Sequence, residues 1–170
     1  DDHGWVRTTF KEAKTKALHL ASAFLELGMK PGYKIAILSE AKSDWIISEF
    51  ATLYAGGISV PLSIKLLPEE VPFRVNHSDS EFFIISENTL EKVISQWDKY
   101  ENSRLQLIML DRPSSKISAQ CATYHFDESK IFFAEDLYEL GAKHLDKNKA
   151  LLDEIENTTE EENVVTISYT

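Results

Sequence analysis

His77, Ser78 and Asp79 stand consecutively and carry the residue types of a hydrolytic triad. Adjacent positions cannot give triad geometry, however, because a nucleophile, its base and the orienting acid must converge from separate places. The three residues read instead as the end of a helix and the turn after it. The five histidines, at positions 3, 19, 77, 125 and 144, include no close pair and have no cysteine partner, so the pattern predicts no zinc site. Cys121 is the single cysteine and has no basic neighbour to lower its pKa, so it reads as an inert thiol, and no internal disulfide can form. No G-x-G-x-x-G or G-x-x-x-x-G-K-[ST] run occurs, and no complete phosphate cradle lies within the sequence.

The elements that must position any site follow from periodicity. Phe10 to Leu27 reads as a helix with Ala17, Leu20, Ala21, Phe24 and Leu27 on one stripe. Thr9 and Glu12 form a capping box at its start, and Gly28 and Pro31 stop it. Ser43 caps a second helix, which ends at Gly56-Gly57. That pair reads as a helix C-cap rather than a phosphate turn. Pro68 opens a third helix running through Val71 and Val75, and Leu90, Val93, Ile94 and Trp97 define a fourth. Short apolar runs at 34–39, 58–62, 81–86, 105–110 and 163–170 read as strands. Pro61 implies that its strand lacks a ladder partner at its far end. From Arg112 to Lys130 the pattern weakens into an irregular excursion with at most a stray strand. Helical signals return at Glu135–Leu140 and Ala142–Ile155.

This alternation predicts an α/β fold, a mostly parallel sheet flanked by helices on both faces. In such sheets ligands bind beyond the carboxyl ends of the strands. The positions to inspect are therefore Ser39-Glu40, Leu62-Ser63, Ser86-Glu87, Asp111-Arg112 and Tyr169-Thr170.

Composition narrows the function classes. The 170 residues are 43% hydrophobic and 27% charged with six glycines and five prolines, which is a globular profile. Eighteen basic against 28 acidic residues give −10 at pH 7, a field that repels nucleic acid and anionic lipid. Six acids without a base between Leu151 and the end read as a solvated helix end and loop. No apolar run approaches the ~20 residues of a membrane span, and no signal peptide opens the chain. Without a secretory signal the sequons at Asn76 and Asn157 carry no weight. The sequence opens at Asp1 and stops inside an apolar run, the pattern expected of a piece of a longer protein.

Several stretches, in order along nearly the whole chain, resemble the amino-terminal region of the AMP-forming acyl-CoA synthetases, in the adenylate-forming superfamily. Gly4-Trp5 and Thr9-Phe10-Lys11-Glu12 resemble the entry to their first helix. Leu27-Gly28-Met29-Lys30-Pro31-Gly32-Tyr33-Lys34-Ile35-Ala36-Ile37 resembles their L-G-h-x-x-G-D-x-V-A-I stretch, with Tyr33 where Asp is usual. Asp44-Trp45 and Tyr54-Ala55-Gly56-Gly57-Ile58-Ser59-Val60-Pro61-Leu62 resemble the E-W and G-A-h-x-V-P-L block. Val75-Asn76-His77-Ser78-Asp79-Ser80 is similar to the h-N-H-S-E-A of the long-chain fatty-acid subgroup. The run from Asp136 to Gly141, the helix from Lys149 to Ile155, and Val164 to Thr170 resemble the lead into the family's Y-T-S-G-T-T-G-x-P-K-G loop. Pro72 and the stretch from Ser114 to Ser129 depart from the pattern.

The resemblance implies that residues 1–170 are one segment of the large amino-terminal domain, ending just before the phosphate-binding loop. It implies a long-chain fatty-acid–CoA ligase that adenylates a carboxylate with ATP and Mg²⁺ and then passes the acyl group to CoA. Fatty acid, ATP and CoA are the implied partners, with no nucleic acid. The implied location is the cytoplasm, with peripheral membrane contact and self-association both open. Thr170 is the one implied cofactor-binding residue. Catalytic and metal-binding residues are expected beyond residue 170, so the segment alone is expected to be inactive. Two other readings fit the residues: a carrier-protein-loading adenylation domain, and a stand-alone flavodoxin-like binding module.

Overall fold

The computed structural model describes residues 7–169. The chain alternates helix and strand: α1 (Phe10–Glu26), β1 (Lys34–Leu38), α2 (Ser43–Tyr54), β2 (Ile58–Pro61), α3 (Glu70–His77) and β3 (Ser80–Ile85). It continues through α4 (Leu90–Ile94), β4 (Gln106–Met109), α5 (Ser115–Thr123), β5 (Ile131–Phe133) and α6 (Ala134–Thr158). The five strands form one sheet in the order β2-β1-β3-β4-β5, and every pairing is parallel. This is the doubly wound order whose topological switch point lies between β1 and β3.

The strands lack hydrophobic alternation because both faces are covered. Ile35, Ile37, Phe82, Ile84 and Ile108 share a cluster with residues of α1, α2 and α6, among them Phe24, Ile47 and Leu152. Ala36, Leu38, Phe83, Ile85 and Met109 share the other, with Val71 of α3, Val93 of α4 and Ile117 of α5. The expected α/β fold with helices on both faces is therefore what the chain adopts.

Local chemistry explains the boundaries. The Thr9–Glu12 capping box forms, with the Thr9 hydroxyl accepting from the Glu12 N–H at 3.2 Å and the Glu12 carboxylate accepting from the Thr9 N–H at 2.7 Å. Gly56, just past the end of α2, adopts φ +74° and so supplies the left-handed residue a helix end calls for. Ser43 is not a cap: it is the first residue of α2, whose N-cap is Lys42 without a side-chain hydrogen bond. Helix α3 begins at Glu70, two residues after Pro68. Pro72 sits in its first turn, where the missing N–H has no intrahelical acceptor, so it does not break the helix.

Three larger differences separate the structure from the pattern. The segment Arg112–Lys130 is ordered, containing α5 with Ser114 capping the Ile117 N–H, and it leads into β5. A strand of three residues is too short for a periodicity argument to find. Helix α6 runs unbroken through Gly141, where the pattern predicts two shorter helices. The run 163–169 is not a strand of the sheet but makes one parallel bridge, Ser59 to Thr166. The Ser59 N–H donates to the Val165 carbonyl and the Ile167 N–H to the Ser59 carbonyl, both at 2.9 Å. Pro61 is paired with Ile37 of β1, so that end of the strand does have a ladder partner on one side, but it has no N–H to extend the bridge on the other. Helix α4 is also shorter than expected, leaving Trp97 half-buried in a 3-10 turn.

Candidate functional site

The parallel order brings the carboxyl ends of β1, β3 and β4 side by side, and the residues after them form one polar network. The Glu40 carboxylate accepts from the Ser86 hydroxyl at 2.5 Å and from the Asn88 amide at 2.6 Å. The Lys42 ammonium donates to Asp111 Oδ1 at 2.6 Å and lies 3.5 Å from Glu40. The second Asp111 oxygen accepts from the Glu87 N–H at 2.7 Å. Glu87 in turn accepts from the Ser114 hydroxyl at 3.1 Å and sits 3.7 Å from the Lys116 ammonium. Beneath this layer the buried Thr89 hydroxyl donates to the Leu38 carbonyl at 2.7 Å.

The electrostatics follow from these partners. Burial works against ionisation of Glu40, yet the hydrogen bonds from Ser86 and Asn88 and the nearby Lys42 hold its pKa down at about 2. Burial also disfavours the Lys42 charge, but Asp111 and Glu40 outweigh it and raise the lysine above its ordinary value. The carboxylates gather at the crevice between β1 and β3, and both ammonium groups are already paired. Such an arrangement clamps three strand ends and repels a phosphate; it does not cradle one.

The other edge of the sheet is different. The 163–169 segment runs parallel to β2, so it approaches the carboxyl side, where open α/β sheets hold ligands. Its last described residue, Tyr169, is gripped by α3. The Tyr169 hydroxyl donates to the Arg74 carbonyl at 3.2 Å and lies 3.0 Å from His77 Nδ1. The His77 and Tyr169 rings meet edge-to-face at 5.8 Å, and Phe73 stacks on His77 at 5.6 Å. The Arg74 guanidinium lies 5.9 Å from the Tyr169 ring centre.

The sequence-derived candidates can now be placed. Thr170, the expected cofactor-binding residue, lies outside the described residues, as do His3, Gly4 and Trp5. Ser78 turns away from triad chemistry: its buried hydroxyl bonds to the Val75 carbonyl and to Ser80. Asp79 occupies the turn after α3 with φ +52°. Cys121 is buried, and burial with the nearby Glu128 pushes its thiol up. Among the described residues no three His, Cys, Asp or Glu side chains converge to hold a metal ion. A groove of about 510 Å³ lies at the amino ends of β1 and β2, between Gly32, Gly57, Ile155 and Val164, on the opposite side from the strand-end network.

Comparison with known proteins decides the family. The AMP-binding enzyme family matches residues 1–170, the whole chain. The chain belongs to that family. It is 28% identical over 116 residues to 4-hydroxybutyrate–CoA ligase 2 of Metallosphaera sedula, an alignment covering 68% of this chain and 21% of that one. It is 23% identical over 138 residues to a long-chain-fatty-acid–CoA ligase of Rattus norvegicus, covering 81% of this chain and 18% of that one. The chain thus spans about a fifth of the length of these relatives. Among solved structures, the adenylation domain of a carboxylate reductase from Mycobacterium chelonae superposes with a TM-score of 0.70 at 21% identity, covering 83% of this chain and 24% of that one. That likeness carries the fold.

Sequence reasoning singled out Glu40, Ser86, Glu87 and Asp111 as strand-end residues but missed Lys42, Asn88 and Lys116. It also missed the pairing of His77 with Tyr169. The strand order β2-β1-β3-β4 would have found the first group, since it makes those ends neighbours. No local signal joins positions 77 and 169.

Proposed function

We propose that this chain is the first part of the large domain of a long-chain fatty-acid–CoA ligase. The observation that carries the reading is the family match over the whole length. In support, the 163–169 segment lies against β2 and leads on to Thr170, the residue the resemblance makes the start of a glycine- and hydroxyl-rich phosphate turn. A turn of that kind presents backbone N–H groups to a triphosphate.

The proposed reaction has two steps. A carboxylate oxygen of the acid attacks the α-phosphorus of ATP, the bond to the leaving pyrophosphate breaks, and an acyl adenylate forms. The CoA thiolate then attacks the acyl carbonyl, AMP departs with the bonding electrons, and a thioester remains. Mg²⁺ accompanies the ATP and offsets its charge. The described residues contribute the wall that supports the turn: the Glu40–Lys42–Asp111 clamp fixes the strand ends, and α3 holds Tyr169. The groups that touch the reacting atoms belong to the longer protein beyond residue 170.

A second reading, an adenylation domain that loads a carrier protein, is favoured by the superposition with the carboxylate reductase adenylation domain. Incubating the longer protein with ATP, Mg²⁺ and a panel of short-, medium- and long-chain acids, with and without CoA, separates the two. Acyl-CoA formation that favours long chains supports the ligase. Acyl adenylate that CoA never consumes would exclude it and favour the carrier-loading reading.

A further inference from the structure

We propose that the groove at the amino ends of β4 and β5 binds a small aromatic anion, a carboxylate or sulfonate on a single ring, with the Tyr100 hydroxyl donating to it. The proposal goes beyond the adenylate-forming reading and does not depend on it.

The groove has a volume of about 280 Å³, and Trp97, Tyr100, Arg104, Leu105, Lys130 and Phe132 are among its lining residues. All of its lining falls between positions 97 and 132, at the opposite end of the strands from the Glu40–Lys42–Asp111 clamp. Pockets for drug-sized ligands begin at about 300 Å³, so this one suits a single ring and one charged group.

The Tyr100 hydroxyl is what points to a ligand. It is buried and has no hydrogen-bond partner among the described residues. Buried polar groups are almost always paired, because an unmade hydrogen bond forfeits the hydration that the group had in the unfolded chain. A phenylalanine would keep the ring contacts and avoid that loss, so packing alone gives no reason for the hydroxyl. The ring itself is well fixed: its centre lies 6.0 Å from that of Phe83 and 5.4 Å from that of Trp97, and Trp97 meets Phe126 edge-on at 4.9 Å. Burial pushes the phenol pKa up, so the hydroxyl keeps its hydrogen and is available as a donor.

The sign of the ligand follows from the charged groups. Arg104 and Lys130 both line the groove, and among the described residues neither side chain forms an ion pair or a hydrogen bond, unlike Lys42, Lys116 or Lys147. Asp127 acts on Lys130 through space, but its Oδ1 accepts from the Ser129 N–H at 3.1 Å and the Ser129 hydroxyl at 2.7 Å. In a chain of net charge −10, two cations without contact partners on one groove favour an anion there. Trp97 and Phe132 supply the aromatic surface against which a ring packs.

The experiment titrates the longer protein calorimetrically with benzoate and with benzenesulfonate. Acetate, which has the charge without the ring, and benzyl alcohol, which has the ring without the charge, are the controls. Both aromatic anions should bind at millimolar concentrations, and both controls more weakly. Tyr100→Phe and Arg104→Gln should each weaken binding about ten-fold, the factor expected for one hydrogen bond to a charged group. Without ligand, Tyr100→Phe should raise Tm, because it removes a buried hydroxyl that has no partner. A Tm lowered by Tyr100→Phe would show that the hydroxyl is already paired in the longer protein, and overturns the proposal. Aromatic anions that bind equally well to both variants sit elsewhere, which also overturns it, as does acetate or benzyl alcohol binding as tightly as benzoate. Arg104 is exposed, so Arg104→Gln decides by the same criterion if Tyr100→Phe fails to fold.

Discussion

Gly141 lies against the backbone of His19, so close that a Cβ at position 141 would sit 1.6 Å from the His19 carbonyl oxygen and 3.1 Å from the Ala23 nitrogen. Glycine inside a helix is normally a weakness of roughly 1 kcal/mol relative to alanine. Here it allows α6 to cross α1 at a distance no side chain permits. Gly141→Ala should therefore destabilise the chain, by at least the ~1–3 kcal/mol typical of overpacking. A lower urea midpoint checks this; a midpoint raised by the better helix propensity of alanine would show that the crossing is looser.

Two aromatic residues on predicted apolar stripes should differ in their cost. Phe24 is fully buried against Phe82 at 6.0 Å, and Phe24→Ala should lose about 3–5 kcal/mol. Trp97 is half-buried, packing edge-to-face on Phe126 at 4.9 Å, so Trp97→Ala should lose less than Phe24→Ala. Denaturant midpoints for the pair check the order, and a reversed order would contradict the assigned burial.

Acid should unfasten the strand-end clamp. The folded-state pKa of Glu40 is about 2 against an ordinary 4.5, so Glu40 binds its proton more readily when unfolded. Its contribution is fully present above pH 4.5 and is lost as pH falls toward 2. The Glu40→Gln chain should accordingly show a flatter fall in stability across that interval. Midpoints measured at steps from about pH 5 to pH 2 test the slope. Identical slopes for the two chains would mean the clamp carries no proton linkage.

Much of the fold is legible in the sequence because its long elements carry strong periodicity and clear punctuation. Thr9, Glu12 and Gly28 delimit α1 by local chemistry alone, and the unalternated runs around Ile37, Phe83 and Ile108 announce a sheet covered on both faces. What is not legible depends on distant partners. Gly141 reads as a helix break until His19 is placed opposite it. The three residues Ile131–Phe133 are a strand only because Leu107 to Met109 lie beside them. The run to Tyr169 reads as a full strand, yet the β2 edge, short and ended by Pro61, accepts a single bridge. The candidate site divides likewise: the strand-end acids are visible as positions, whereas the lysines that neutralise them and the grip of His77 on Tyr169 arise from topology.

Residues 1–170 alone should not adenylate any acid, because the described strand ends supply no converging N–H donors for a triphosphate and the carboxylates there repel one. The matching gain should come with the longer protein. Adding Ser-Gly-Thr-Thr-Gly-type sequence after Thr170, as the resemblance expects, is the minimum change that should restore ATP binding. A chain extended through that turn that still fails to bind ATP would show that further segments are required for the nucleotide.

The central claim is that this chain belongs to a protein that activates a carboxylic acid as its adenylate. The most direct measurement is acid-dependent exchange of labelled pyrophosphate into ATP, because exchange reports the first step without requiring CoA or any later acceptor. The account predicts exchange by the longer protein that rises with fatty acid and vanishes without it, and none by residues 1–170. Exchange that no carboxylic acid stimulates in the longer protein would contradict the account.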